Sequence, residues 1–253
     1  MQKAGSDANV RRLGVAPELA VSNLEAAEAV LVDRFGFSRA APSPLDSALS
    51  ECRIGSQRII LRRDPAADTG AHGVIDHVAL KVCDTDKALD RLVDRGALID
   101  EEVTPNGPKE IAEFWTAGVR YVFFQGPGGA RLELCAKRDS IESRNGGILG
   151  HDHIGVSCRD VSAMRTFFGA LGFCDLASHV LETASGPVDV CFMGLGDDVV
   201  ELFSLPEIRS GQITRAAQGL WARLHMFRPS DRGSSKLLTG PEGLDVVCWE
   251  LAC

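Results

Sequence analysis

Between residues 150 and 160 the chain reads GHDHIGVSCRD, which places two of its six histidines, His151 and His153, at the head of an apolar run. An imidazole there is either a metal ligand aimed off one face of a strand or a polar residue closing the loop before a core strand. Spacing separates the two histidines. His153 stands seven residues before Asp160, as His77 stands seven before Asp84, whereas His151 falls outside that frame. His225, in ARLHMFRPSD (222–231), opens a further apolar run.

The frame is a repeat. APELAVSNLEAAEAVLVDRFGF (16–37), HVALKVCDTDKALDRLVDRGAL (77–98) and HIGVSCRDVSAMRTFFGALGF (153–173) share one plan. An alternating apolar strand ends at Asn23, Asp84 or Asp160, a residue able to cap a helix. Apolar residues then follow at three-to-four spacing, up to Gly36, Gly96 or Gly172. Shorter strands follow, and each unit closes on QRIILRR (57–63), ARLELCAK (130–137) or DVVELFSL (198–205), so each reads as β-α-β-β-β. A fourth unit begins at 222 and ends in GPEGLDVVCWELA (240–252), but only RGSSKLL stands where a helix and middle strands belong.

A lone unit leaves one sheet face uncovered, so units must pair, and two side by side close a cupped sheet around a cavity. KRDSIESRNGGILG (137–150) is polar and carries glycines, as a linker does. The expected class is α+β, with mixed cupped sheets in two domains: 10–138 with units one and two, a linker at 139–149, and 150–253 with unit three and the truncated unit four.

This repeat, with a histidine near the start of the first strand and a glutamate in the last, resembles the vicinal oxygen chelate superfamily of glyoxalases, bleomycin resistance proteins and extradiol dioxygenases. The resemblance runs over about residues 12 to 253; FFQGPGGARLELC (123–135) is its most specific piece, and unit four its weakest. The four-unit layout looks most like the single-chain extradiol enzymes.

The resemblance implies one divalent ion, Zn, Ni, Fe, Mn or Co, on up to four N and O ligands from two paired units. Unit one has Ala16 and Ile60 at its ligand positions and cannot contribute. Units two and three offer His77 with Glu133 and His153 with Glu201; unit four offers His225 and, in a different alternation phase, Glu250. Pairing three with four gives His153, Glu201, His225 and Glu250, the expected set because the domain pairing is the ordinary one. Pairing two with three gives His77, Glu133, His153 and Glu201, with cleaner spacing. His72, His151 and His179 stay outside both.

By the same resemblance, the ion would bind vicinal oxygens of a small substrate and stabilise an enediolate, giving an isomerase, epimerase or lyase with Glu201 as the first candidate for the base and Glu250 or Glu133 as the second. Fe(II) ring cleavage on His153, His225 and Glu250 is the alternative, weakened because the only tyrosine, Tyr121, lies in the first half. A third reading is a binding or resistance protein that holds a planar molecule against Trp115, Trp221, Trp249, Phe124 and Phe203.

A formal net charge of -8 leaves no basic field for nucleic acid or anionic membranes. No apolar run reaches the length of a membrane span and the N-terminus lacks a signal segment, so a cytoplasmic protein is expected. The eight cysteines contain no CxxC pair and read as small buried hydrophobes. A short fourth unit leaves a sheet edge for a second copy to cover, which predicts a homodimer.

Overall fold

The computed structural model describes residues 14–40, 49–67, 72–139, 147–230 and 234–252. The expected first-domain start at 10–13 and linker positions 140–146 lie outside the described residues.

Units one and three fold as the β-α-β-β-β repeat predicts, and unit two adds one short strand, Lys109–Ile111, to that plan. Unit one comprises β1 (Gly14–Val21), α1 (Leu24–Ala29, continued by a π turn to Arg34), β2 (Ser38–Arg39), β3 (Leu49–Ile54) and β4 (Gln57–Arg63). Unit two comprises β5 (Ile75–Lys81), α2 (Thr85–Asp94), β6 (Leu98–Ile99), β7 (Lys109–Ile111), β8 (Val119–Gln125) and β9 (Arg131–Lys137). Unit three comprises β10 (Gly150–Ser157), α3 (Val161–Ala170), β11 (Cys174–Thr183), β12 (Gly186–Leu195) and β13 (Asp198–Ser204).

The three helices start on the same device: Asn23, Asp84 and Asp160 each accept a hydrogen bond from the backbone N–H three residues on. They stop at Gly36, Gly96 and Gly172, whose φ of 78°, 79° and 94° is the left-handed turn that favours glycine. After the short α4 (Pro206–Arg209), unit four among the described residues has the strands β14 (Trp221–Ser230), β15 (Ser234–Thr239) and β16 (Asp245–Ala252). One strand, β15, stands where the others have a helix and middle strands.

The pairing of units differs from the expected one. Units one and four share a seven-stranded sheet in the order β15-β16-β14-β1-β4-β3-β2, and units two and three share a nine-stranded sheet in the order β11-β12-β13-β10-β5-β9-β8-β6, with β7 on β8. Each sheet thus draws one unit from each half of the chain, and the division at 139–149 does not separate the sheets. The joins are antiparallel first strands, β1 on β14 and β5 on β10.

Alternation along the strands sorts the side chains into two layers. On one face Leu19 and Leu61 from the first sheet and Val78, Leu80, Leu132, Leu134, Ile154, Val156 and Leu202 from the second join Leu31, Phe35, Leu92, Met164 and Phe168 from the helical segments in one core. The Phe35 ring meets Phe124 edge-on at 6.1 Å, so unit one's helix is packed on unit two's sheet. Two polar ties lock the sheets further: Asp198 accepts from Val15 N–H at 2.8 Å and from Gln57 at 2.9 Å, and Gln57 accepts from the His151 N–H. The opposite face of each sheet lines its cup.

No helix among the described residues is long and apolar enough to cross a membrane.

Candidate metal centre

Within the second cup the alternation that sends Val78, Leu132, Ile154 and Leu202 into the core turns His77, Glu133, His153 and Glu201 inward. The join sets the two histidines side by side: β5 pairs with β10 so that His77 faces Gly155 and Ala79 faces His153. Parallel pairing then brings Glu133 beside Ala79 and Glu201 beside Gly155. All four residues are buried.

Their donor atoms converge. The two Nε2 atoms are 3.2 Å apart. His77 Nε2 is 3.2 Å from Glu133 Oε2 and 3.6 Å from Glu201 Oε2; His153 Nε2 is 3.7 Å and 3.3 Å from the same two oxygens. Ligands about 2.1 Å from a shared ion stand roughly 3.0 to 3.4 Å apart in octahedral or tetrahedral geometry, so these separations are close to the edges of one coordination polyhedron.

The outer nitrogens are each tied to a carboxylate. His77 Nδ1 lies 3.1 Å from Asp76 Oδ2, and His153 Nδ1 lies 2.9 Å from Asp152 Oδ1. A carboxylate holds the proton on Nδ1 and leaves an Nε2 lone pair pointing inward, the tautomer that binds metal. Two lone pairs 3.2 Å apart repel unless a cation sits between them. The residues present therefore fit a divalent ion.

Electrostatics agree. Burial alone would lower the His77 imidazole, but its hydrogen bonds to Asp76 and Glu133 outweigh burial and push it up to about 9. His153 is likewise raised well above its ordinary value, burial being overcome by the Glu201 charge and Asp152. Burial would raise Glu201, yet the charge and hydrogen bond of His153 hold it low. The site is a buried anionic field that draws positive charge, whether protons or an ion.

Glycine makes room for the first ligand. A Cβ built on Gly155 would stand 2.1 Å from His77 Cε1, so only glycine lets the imidazole lie across β10. Gly155 and the two aspartates were missed in the sequence reading; the signal was the Asp-His dipeptide at 76–77 and again at 152–153.

The expected set with His225 and Glu250 is not assembled. Both lie in the other sheet, where His225 Nε2 meets Glu18 Oε2 at 2.8 Å and Trp249 Nε1 donates to His225 Nδ1 at 2.8 Å. Both ring nitrogens are thus engaged. Glu250 is exposed and accepts from Ser234 Oγ at 2.7 Å. The register shows why: Glu133 stands beside Ala79 in β9, whereas Ile60 stands beside Glu18 in β4, and Val247, not Glu250, stands beside His225 in β16. The phase mismatch noted in the sequence is real and puts Glu250 three residues beyond the ligand step.

The four donors open onto a cavity of about 680 Å³. Trp115, Phe114, Phe123, Phe192 and Phe203 supply its aromatic wall, and Tyr121, Lys109, Arg131 and Arg215 its polar groups. Of the aromatics proposed from the sequence, Trp115 and Phe203 line it, while Phe124 and Trp221 are core and Trp249 belongs to the other cup. Burial, with the Glu133 and Glu201 charges adding to it, pushes the Tyr121 phenol up to about 12, so it stays a neutral donor.

Residues 15–134 match the model of the Glyoxalase/Bleomycin resistance protein/Dioxygenase superfamily. Among solved structures the chain is similar to glyoxalase I from Zea mays, with a TM-score of 0.68 at 14% identity over 94% of this chain and 93% of that one. It is also similar to a putative dioxygenase from Bacillus subtilis, with a TM-score of 0.60 at 10% identity over 95% of this chain and 86% of that one. No curated protein matches the sequence. Residues 15–134 thus belong by sequence to the Glyoxalase/Bleomycin resistance protein/Dioxygenase superfamily, and the chain as a whole has the glyoxalase-like fold of tandem modules.

Proposed function

We propose that the chain is a glyoxalase-like metalloenzyme, an isomerase, epimerase or lyase acting next to a carbonyl. One observation carries this reading: two buried Nε2 atoms face each other at 3.2 Å while both Nδ1 atoms are engaged by aspartates and two glutamates close the remaining corners. When bound, a divalent ion supplies the Lewis acidity that lowers the cost of an enediolate on a substrate with vicinal oxygens. His77 and His153 hold the ion, and Asp76 and Asp152 fix their rings. Glu201, kept ionised beside His153, is the first candidate for the base and Glu133, 3.2 Å from His77, the second. The aromatic wall excludes water from the reacting centre. Tyr121 offers a neutral O–H to oxygen that gains charge.

A second reading rests on the smaller set His77, His153 and Glu201, whose donor atoms lie within 4.8 Å of one another, two imidazoles and a carboxylate as an Fe(II) oxygenase needs. Glu133 disfavours it by occupying a corner that a catechol and dioxygen require. The open edge at β15, with Leu237 exposed, supports a homodimer.

Elemental analysis with oxygen uptake tests these readings. The first expects close to one zinc, nickel, cobalt or manganese per chain and no oxygen consumed with catechols. Iron with oxygen consumption supports the second. Metal content unchanged in His153→Ala overturns both.

A further inference from the structure

The connector from β13 to β14 crosses from one sheet to the other and passes over the rim of the cavity. Ala216 bridges to Gly73, and a Cβ on Gly73 would stand 2.4 Å from the Gly219 nitrogen, so the connector is pressed against the approach to β5. Arg215 enters the cavity wall from this connector. Its Nη2 is 2.6 Å from Asp76 Oδ1, whose other oxygen orients His77.

Three cations line the cavity, and they differ in what they have left to give. Arg131 reaches three carboxylates, Asp76, Asp100 and Glu102. Lys109 donates to the Val103 carbonyl at 2.7 Å. Arg215 meets one carboxylate, Asp76, among the described residues, and its side chain stays 14% exposed in the cavity wall. Charge permits an anion there. Five carboxylates and three cations line the cavity, and a divalent ion brings that wall to neutrality.

Another part of the lining suits an apolar body. Trp115 holds a φ of 56°, a left-handed conformation that a tryptophan rarely adopts. Its ring lies 5.1 Å from Phe192, with Lys137 Nζ 4.0 Å from its centroid on the ring face.

Resting on the metal reading above, we infer that the substrate carries a carboxylate, remote from its vicinal oxygens, on an aromatic-sized apolar body, and that Arg215 binds that carboxylate. The two ends are then held apart, the vicinal oxygens at the four metal ligands and the acid at the connector.

The probes are benzohydroxamate, a neutral aromatic with vicinal oxygens, and 4-carboxybenzohydroxamate, the same chelator with a remote acid. Calorimetry on the zinc-loaded full chain at low salt compares them. The wild type is expected to prefer the carboxylated probe on the order of tenfold, as a charge-assisted bond supplies. Arg215→Met brings the ratio to about one, and Arg215→Lys keeps a preference of a few-fold. Zinc stoichiometry and circular dichroism confirm that each variant is folded and loaded, and the wild-type ratio needs no variant at all. Benzohydroxamate bound with no preference for its carboxylated partner, or a preference that survives in Arg215→Met, overturns the role of Arg215 alone. Failure to take up zinc, with neither probe bound, overturns the metal reading beneath it.

Discussion

The two cups are built on one plan and are filled in opposite ways. In the cup of units two and three, His77 faces Gly155 across the central join; in the cup of units one and four the matching pair is Ala16 and His225. The imidazole has changed strands: where β5 carries the ring and β10 the space for it, β1 carries the small residue and β14 the ring. The same register puts Ile60 at the Glu133 step, Val247 at the Glu201 step and Arg223 at the His153 step. What remains is a closed set, Glu18 taking His225 at 2.8 Å, Arg62 at 2.7 Å and Arg223 at 3.3 Å. One cup turns two imidazole nitrogens and two carboxylates toward a single point behind a cavity; the other engages both ring nitrogens of His225 internally. A buried histidine is a ligand candidate when its inward nitrogen converges with other donor atoms at a cavity, not because it sits on a first strand.

The sharpest break in that contrast is removal of one histidine from each cup. His77→Ala and His153→Ala are expected to empty the ion from the protein at micromolar metal, because each takes one of four corners; His225→Ala is expected to leave metal stoichiometry at the wild-type level. Inductively coupled plasma measurement on dialysed protein decides it, and metal lost from His225→Ala would place a ligand in the wrong cup.

Next in size is the space itself. Gly155→Ala puts a methyl group 2.1 Å from His77 Cε1 and must displace the ring or β10. A fall in metal affinity of roughly a hundredfold or more is expected, since a misplaced ligand costs at least what a lost outer partner does. Competition with a chromogenic chelator measures it, and unchanged affinity would mean the ring is not a ligand in that pose. Asp152→Asn should be milder, about 10- to 100-fold, because an amide still orients His153 Nδ1–H through its oxygen but without the charge.

These residues also mark where reading the sequence stops. The strand-cap-helix-glycine frame was legible because Asn23, Asp84 and Asp160 cap through local hydrogen bonds and Gly36, Gly96 and Gly172 meet a local backbone demand. So were His77, Glu133, His153 and Glu201 as a possible set, since alternation along a strand is local too. The choice between sets was not, because it depends on which unit's first strand joins which, a contact between residues far apart in the chain. Domain order favoured neighbours; burial favoured the cross-pairing, which places α1–α3 and both sheets around one core. Spacing alone still held a clue. Glu133 lies seven residues after Gly126, and seven after Gly240 is Val247, a residue with no ligand atom.

The smallest effect tests whether the closed cup is structural. Burial alone would raise the Glu18 carboxyl, but His225, Arg62 and Arg223 hold it below its ordinary value of 4.5. A carboxyl depressed in the folded state stabilises it above the unfolded value, and that contribution is lost as pH falls through the lower folded value. Glu18→Gln keeps the shape and removes the charge, leaving Arg62 with Asp64 alone and Arg223 without the Glu18 carboxylate, at a cost of roughly 2 kcal/mol near neutrality given that both guanidiniums are partly solvated. The gap between wild type and variant should hold from pH 7 to about pH 5, narrow below 4.5 and approach zero once Glu18 is protonated in both states. Urea midpoints across that range measure it. An equal gap at pH 3 and pH 7 would show that the ion pairs around Glu18 do not stabilise this cup, and that its buried acid is held for some other purpose than filling the place of a lost metal.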